Sequence, residues 1–139
     1  MKVLRSVLAV LAGLVAISLL VEAVEVSLVT LVNGGMTMDP VVYFGTRNRP
    51  WFLAIKLVYN TASAIAGGWL AAWIAGRSPL AHGIALGVVQ AAALGYAVTD
   101  PAMRLWTPDW MWAALAVVST VGVIWGARLR QPRAVGRAA

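Results

Sequence analysis

The stretch SLLVEAVEVSLVTL, residues 18 to 31, places two glutamates, Glu22 and Glu25, inside a run that is otherwise almost wholly apolar. A carboxylate in hydrocarbon costs roughly a few kcal/mol even on lenient insertion scales. A helix that carries two of them therefore needs compensating partners elsewhere in the chain. The rest of the sequence indicates the environment of this stretch and the residues that can pair with it.

The composition is typical of a membrane protein. Of the 139 residues, 61% are hydrophobic and 12% are charged, whereas soluble domains contain about 25% charged residues. The chain has no cysteine, which excludes disulfides, thiolate metal sites and thiol nucleophiles.

Four apolar segments are each close to the ~20 residues that a spanning helix needs. The segments between them contain most of the proline and aspartate, which end helices and form turns. We therefore predict one integral membrane domain over residues 1–139, an all-α four-helix transmembrane bundle. The predicted spans are residues 6–32, 51–75, 80–98 and 110–127.

The positions of the basic residues predict the orientation and the surroundings. With both termini cytoplasmic, seven Lys and Arg residues lie inside and three lie outside, as the positive-inside rule requires. Basic residues that flank spans contact anionic lipid, so the net charge of +6 indicates lipid rather than nucleic acid. The inner set is Lys2, Arg5, Arg77, Arg128, Arg130, Arg133 and Arg137, and the outer set is Arg47, Arg49 and Arg104.

Counting residues along the helices predicts a partner for Glu22. If Ser6 marks the inner edge of the hydrocarbon, Glu22 lies about 24 Å up a core of about 30 Å. Lys56, which follows Trp51 down the second span, lies at about 22 Å. We therefore predict an ion pair between Glu22 and Lys56. Glu25, one turn higher, is expected to reach water, Lys56, or Arg47 and Arg49.

Helical spacing places the polar residues on one stripe of each of the first two spans. One interpretation is that these stripes join the helices and fix their register. The other is that they line a polar cavity for a proton, an ion or a small solute, because ionisable residues within spans are functional candidates. The predicted cluster is Glu22, Glu25, Lys56, Tyr59 and Asn60.

Small residues form faces that allow close helix approach. Gly83 and Gly87 repeat at four-residue spacing in the third span, and Gln90 lies beside them. In the second span, Gly67 and Gly68 precede Trp69. We predict that these residues pack helices together, and that faces left over, with Trp69, contact another protein.

No nucleophile–base pair, metal cluster or nucleotide-binding motif is present in the sequence, which predicts a protein that is not an enzyme and has no cofactor. His82 is the single histidine. It could ligate a pigment or haem, but a contact with lipid phosphate or a hydrogen bond near the cytoplasmic interface fits a lone histidine better. Arg77, Pro79 and His82 then form an interfacial turn.

The residues from 67 to 82 resemble a group of small bacterial four-helix membrane proteins with the pattern G-G-W-x-A-A-x-x-A-G-R-x-P-L-x-H. Glu22 fits a glutamate that recurs in the first helix of that group, Pro108 and Trp110 fit a proline–tryptophan stretch, and residues 126–129 fit a G-A-R-L ending. Glu25 and the basic outer loop depart from the pattern. The resemblance implies a fold and a topology in a bacterial cytoplasmic membrane, and it carries no activity. The matching residues are Gly67, Gly68, Trp69, Ala71, Ala72, Ala75, Gly76, Arg77, Pro79, Leu80 and His82.

Two classes of function follow from these features. The first is a non-enzymatic accessory or structural subunit of a larger membrane complex, which packs against other subunits or against itself. The alternative is a small oligomeric transporter or channel for an ion, a proton or a small solute, which uses Glu22, Lys56 and Asn60.

Overall fold

The computed structural model describes residues 2–131, and within them the chain forms helices and no strands. Four helices are long and two are short, which confirms the prediction of an all-α chain. The helices are α1 (Lys2–Val32), α2 (Pro40–Arg47), α3 (Pro50–Ala75), α4 (Pro79–Ala97), α5 (Pro101–Trp106) and α6 (Asp109–Arg128).

The two short helices lie in connections that were expected to be loops. Each begins at an Asp-Pro pair, and in each the aspartate caps the helix. Asp39 Oδ1 accepts a hydrogen bond of 2.8 Å from the backbone N–H of Val41, and Asp100 Oδ1 accepts one of 2.8 Å from that of Ala102. Proline at the first helical position has a suitable φ and needs no hydrogen-bond acceptor. Asp-Pro therefore starts a helix here rather than only ending the preceding one.

Helix α3 lies at the centre of the packing, against α1 on one side and α6 on the other, while α4 packs mainly against α6. Glycine permits the closest approach. A Cβ added to Gly126 would overlap the backbone carbonyl of Ile65, and one added to Gly68 would overlap that of Val123. The α3–α6 contact is therefore a backbone-to-backbone contact, as in tightly packed membrane helices.

Polar contacts join separate parts of the chain at the ends of the long helices. At one end, the segment around α2 contacts the segment around α5, where the side-chain amide of Asn48 donates to the carbonyl of Trp106 at 2.9 Å. At the other end, Arg5 Nε of α1 donates to the carbonyl of Ile74 at 2.7 Å, close to the end of α3. The start of α1 therefore lies next to the end of α3.

Three helices are long and apolar enough to cross a membrane, namely α1 from Val3, α4 and α6. Among the described residues, α3 is not one of them, although it has 26 residues. Its polar residues, which include Lys56 and Asn60, lower its mean hydropathy, and both are buried against other helices. Large apolar side chains are exposed on all four long helices, for example Leu19, Val58, Val88 and Val117. Such surfaces suit lipid and not water.

Candidate functional site: a buried carboxylate beside a polar cavity

The Glu25 carboxylate is the centre of the polar cluster, and only 3% of the residue is exposed. Oε2 accepts hydrogen bonds from Lys56 Nζ at 2.6 Å and from the Tyr59 hydroxyl at 2.7 Å. Oε1 accepts from Arg47 at 3.2 Å and from the Tyr43 hydroxyl at 3.3 Å. Four donors therefore satisfy one buried carboxylate, as a charge removed from water requires.

Two helices supply these donors in pairs. Lys56 and Tyr59 are three residues apart on α3, and Tyr43 and Arg47 are four apart on α2, so each pair shares one helical face. The amide of Asn60 donates to the Lys56 carbonyl at 2.8 Å, within α3 itself. Because Glu25 belongs to α1, its carboxylate joins α1 to both α2 and α3.

Arg47 extends this network to the other end connection. Its second terminal nitrogen donates to the carbonyl of Trp106 at 2.9 Å and to the Thr107 hydroxyl at 2.6 Å. The Phe44 and Trp106 rings stack with their centroids 4.8 Å apart, and the Arg47 guanidinium lies 4.4 Å from the Phe44 centroid. One arginine thus connects α1, α2 and the end of α5.

A cavity of about 500 Å³ lies beside the cluster. It extends from the residues of α2 and α5 down to Ile17 and Ser18 of α1, and α3, α4 and α6 contribute the remaining walls. Its polar lining includes Glu22, Glu25, Arg47, Lys56, Asn60 and Gln90, and its aromatic lining is Tyr43, Phe44, Trp106 and Trp112. Small-molecule sites have volumes of about 300–1,000 Å³, so the cavity is large enough for a ligand.

The charges around the cavity are unevenly placed. Glu25 lies between two cations, Lys56 and Arg47, so this group of three carries one net positive charge. Glu22 also lines the cavity and is exposed, and among residues 2–131 it has no ion-pair partner. Burial of the phenol, together with the nearby Glu25 and Glu22 carboxylates, raises the pKa of Tyr43 to about 12. Tyr43 is therefore a neutral hydrogen-bond donor at any physiological pH.

Several buried polar atoms of the cavity region lack a hydrogen-bond partner within the described part of the chain. They include two donors, Arg47 Nε and Trp112 Nε1, and both residues line the cavity. Buried polar groups are normally hydrogen-bonded, so unpaired ones call for an explanation. These two N–H groups are therefore donors that the described fold leaves unsatisfied.

The predicted pair between Glu22 and Lys56 is wrong, because Lys56 binds Glu25. The depth count started from the far end of α1 and assumed a span of about 30 Å, but α1 has 31 residues, or about 46 Å. Counting from the connected ends gives the right partner. Glu25 lies seven residues before Val32, at the end of α1, and Lys56 lies six residues after Pro50, at the start of α3. The two residues are therefore about 10.5 and 9 Å from the helix ends that the α2 connection joins. Of the alternatives for Glu25, Lys56 and Arg47 are its partners, whereas Arg49 is exposed.

The glycine faces pack within the chain. A Cβ on Gly67 would meet Ile17 and the carbonyl of Gly13 on α1, one on Gly83 would meet Ala127, and one on Gly87 would meet Thr120. These faces are therefore occupied by α1 and α6, as predicted for helix packing, so Gly67, Gly83 and Gly87 are not available for contact with another protein. Gln90 lines the cavity.

Trp69 and the interfacial turn lie away from the cavity. Trp69 is 40% exposed, stacks on Trp73 with centroids 6.1 Å apart, and has the Arg130 guanidinium 5.4 Å from its ring. Arg77 is exposed in the turn between α3 and α4, where Pro79 begins α4. His82 is buried, and its Nδ1 lies 3.0 Å from the carbonyl oxygen of Ser78. His82 therefore forms a hydrogen bond with Ser78, the N-cap residue of its own helix α4.

Among the described residues, no group of three or more His, Asp or Glu side chains could hold a metal ion. Comparison of the chain with protein-family models, curated proteins and solved structures finds no match.

Proposed function

We propose that this protein is a non-enzymatic integral membrane protein that binds a small polar solute in the cavity beside Glu25. In this proposal the four long helices form a bundle in a bacterial cytoplasmic membrane, with both termini inside and with α2 and α5 at the outer face. The three helices that are apolar enough to span, and the apolar surfaces of all four long helices, support the membrane placement. No cofactor is part of the proposal.

The observation that carries this proposal is the difference between the two glutamates. Glu25 is buried and accepts four hydrogen bonds, so its charge is accounted for by the fold. Glu22 is exposed on the wall of the cavity, without an ion-pair partner among residues 2–131. A carboxylate within a spanning helix is costly and is a functional candidate unless the fold explains it. Glu25 is explained in this way, and Glu22 is left to contact a solute.

Two cases are possible for a bound solute. It is released again to the outer side, or it is transported across the membrane. The described helices, which pack closely at Gly67, Gly68, Gly83 and Gly126, leave little room for a second route to the cytoplasm. Transport therefore requires protomers assembled around a shared interface, whereas binding alone does not. Uptake of the bound solute into proteoliposomes separates the two cases.

Filling the cavity tests the proposal. Ser18 lines the cavity one turn before Glu22, whereas its neighbour Leu19 is exposed on the outer surface of α1 and does not line it. We expect amino acids, organic cations or organic anions to include compounds that raise the melting temperature of the detergent-purified protein. Those compounds should stabilise Leu19→Trp as well as the wild type, but not Ser18→Trp. If no compound of the three classes stabilises the protein, or if Ser18→Trp responds like the wild type, solute binding in this cavity is contradicted.

A second candidate function, an accessory subunit of a larger membrane complex, is favoured by the stacked and exposed pair of Trp69 and Trp73. Large exposed aromatics are typical of protein interfaces. We expect Trp73→Leu to reduce the size of the complex extracted in mild detergent, and Trp125→Leu, an exposed tryptophan on α6, to leave it unchanged. A monodisperse monomer for the wild type and for both variants would exclude this candidate.

Anionic lipids are the proposed partners of the basic C-terminal segment. Arg128 and Arg130 belong to the part of this segment that the structure describes, while Arg133 and Arg137 lie outside the described residues. Polybasic segments next to a span gain about 1 kcal/mol per residue at an anionic membrane surface.

A further inference from the structure

We infer that the ligand of the cavity is a small zwitterion with an apolar body, such as an α-amino acid that has a hydrophobic side chain. In this arrangement the ammonium of the ligand contacts Glu22, and its carboxylate accepts hydrogen bonds from Arg47 and Trp112. The inference rests on the proposed solute-binding function and names the chemical class that it takes.

The charges of the cavity favour a molecule with one charge of each sign. Lys56, Arg47 and Glu25 together carry one net positive charge, and Glu22 carries one negative charge. A cation alone would satisfy Glu22 but would meet the excess positive charge of the Arg47 group. An anion alone would satisfy that group but would meet Glu22. A zwitterion complements both, and electrostatic complementarity of this kind determines specificity.

The unpaired donors indicate where the carboxylate binds. Arg47 Nε and Trp112 Nε1 are buried and lack partners in the described chain, and both residues line the cavity. Each carries one N–H and no acceptor function. A carboxylate offers two oxygens and can accept from both, whereas an amide offers one oxygen and adds donors of its own.

The remaining walls determine what lies between the two charged groups. Ile17, Val21, Leu94 and Leu115 line the same cavity, together with the stacked rings of Phe44 and Trp106. Ligand sites of this kind combine apolar walls with a few placed polar groups. A hydrophobic side chain on the ligand would bury these surfaces, and a strongly polar one would not.

The test compares each zwitterion with two analogues that each lack one charge. The probes are L-leucine, L-phenylalanine and L-tryptophan, their amides, and the corresponding acids without the amino group, measured by isothermal titration calorimetry on the full-length protein in detergent. We expect at least one of the three amino acids to bind at least tenfold more tightly than its amide and its deaminated acid.

Variants assign the two ends of the ligand. Glu22→Gln should weaken binding of that amino acid at least tenfold, because the ammonium contact is lost, and should strengthen binding of the deaminated acid, because the repulsion between its carboxylate and Glu22 is removed. Trp112→Phe should weaken the amino acid and the deaminated acid by a similar factor and leave the amide unchanged. Asp109→Asn, at an acid on the outer surface that pairs with Arg104, is the control and should alter none of these affinities.

Three results would overturn the inference. The first is that none of the three amino acids binds. The second is that an amino acid and its singly charged analogues bind with equal affinity. The third is that Glu22→Gln keeps the wild-type preference for the amino acid over those analogues. If only cations or only anions bind, in a manner that Ser18→Trp abolishes, the zwitterion is wrong while the proposed solute site stands. If none of these compounds binds, the zwitterion is wrong, and the proposed solute site fails with it only if no other amino acid, organic cation or organic anion raises the melting temperature of the wild type.

Discussion

The Lys56 ammonium lies 2.6 Å from Oε2 of Glu25, and Glu22, one turn earlier on the same helix, lies outside this contact. The apolar run that contains both glutamates therefore serves two purposes. Glu25 joins α1 to α2 and α3, and Glu22 is presented to the cavity next to that junction. The proposed ligand site is thus built on a structural ion pair and does not consist of the pair itself.

Arg47 should stabilise the structure of the connection that contains α5. Arg47→Gln removes the charge that faces Glu25 and weakens the bonds to Trp106 and Thr107. We expect faster amide hydrogen exchange over residues 98–108 and a loss of stability of about 1–3 kcal/mol, the cost of leaving buried polar groups unsatisfied. Arg49→Gln, two residues away at an exposed position, is the control. Equal exchange in the two variants would mean that Arg47 does not hold this connection.

Gly126 should tolerate no side chain. Because a Cβ there would overlap the backbone of Ile65, Gly126→Ala must separate α6 from α3, and overpacking of this kind costs about 1–3 kcal/mol. Gly95→Ala on α4 is the matched control, since a Cβ there meets nothing within 4 Å and alanine favours the helix by up to about 1 kcal/mol. Denaturation in mixed micelles compares them. A Gly126→Ala variant as stable as Gly95→Ala would contradict the close contact between α3 and α6.

Tyr43 should make the folding stability of the protein fall at alkaline pH. Its pKa rises from 10.0 to about 12 in the folded state, so the neutral phenol is favoured by folding. The resulting stability is fully present below pH 10 and is lost as the pH rises through about 12. Tyrosinate absorbance of the wild type minus that of Tyr43→Phe should show a transition near pH 12. A difference transition near pH 10 would indicate a phenol in water.

The topology can be tested with single cysteines, because the chain has none of its own. Met38→Cys and Leu105→Cys replace exposed residues in the two connections that meet at the α2 and α5 end, and Ala134→Cys lies in the C-terminal segment. In intact cells an impermeant thiol reagent should label the first two and not the third. The reverse pattern would place the termini outside and the cavity at the cytoplasmic face.

The sequence predicted the long helices well because hydrophobic runs and Pro-Gly punctuation are local signals. The sequence pattern does not predict the short helices, because Asp39-Pro40 and Asp100-Pro101 are typical of helix breaks, although an aspartate before proline is also a cap followed by a favourable first residue. A helix from Pro40 would have placed Tyr43 and Arg47 on one face. That face is the one that binds Glu25.

Helical spacing predicts Glu25, Lys56 and Tyr59 as members of the polar cluster, but it does not predict that Lys56 pairs with Glu25 or that Tyr43 takes part. Glu22 and Glu25 share a helical face, and a change of one turn in register exchanges them. The register depends on the length of the connection between α1 and α3 and on the contact of α2 with both, which are tertiary features. The cavity and the unpaired nitrogen of Trp112 likewise depend on how six helices meet, and no local pattern contains that information.

The most direct test of the account is the coupling free energy between Lys56 and each glutamate. Two double-mutant cycles, Lys56→Met with Glu25→Gln and Lys56→Met with Glu22→Gln, are measured by reversible unfolding in mixed micelles. We predict a coupling of about 1 kcal/mol or more with Glu25, since removing one partner leaves a buried charge unpaired, and less than about 0.5 kcal/mol with Glu22. The opposite result, strong coupling with Glu22 and additive losses with Glu25, would contradict the division of the two carboxylates into a structural residue and a ligand-binding residue.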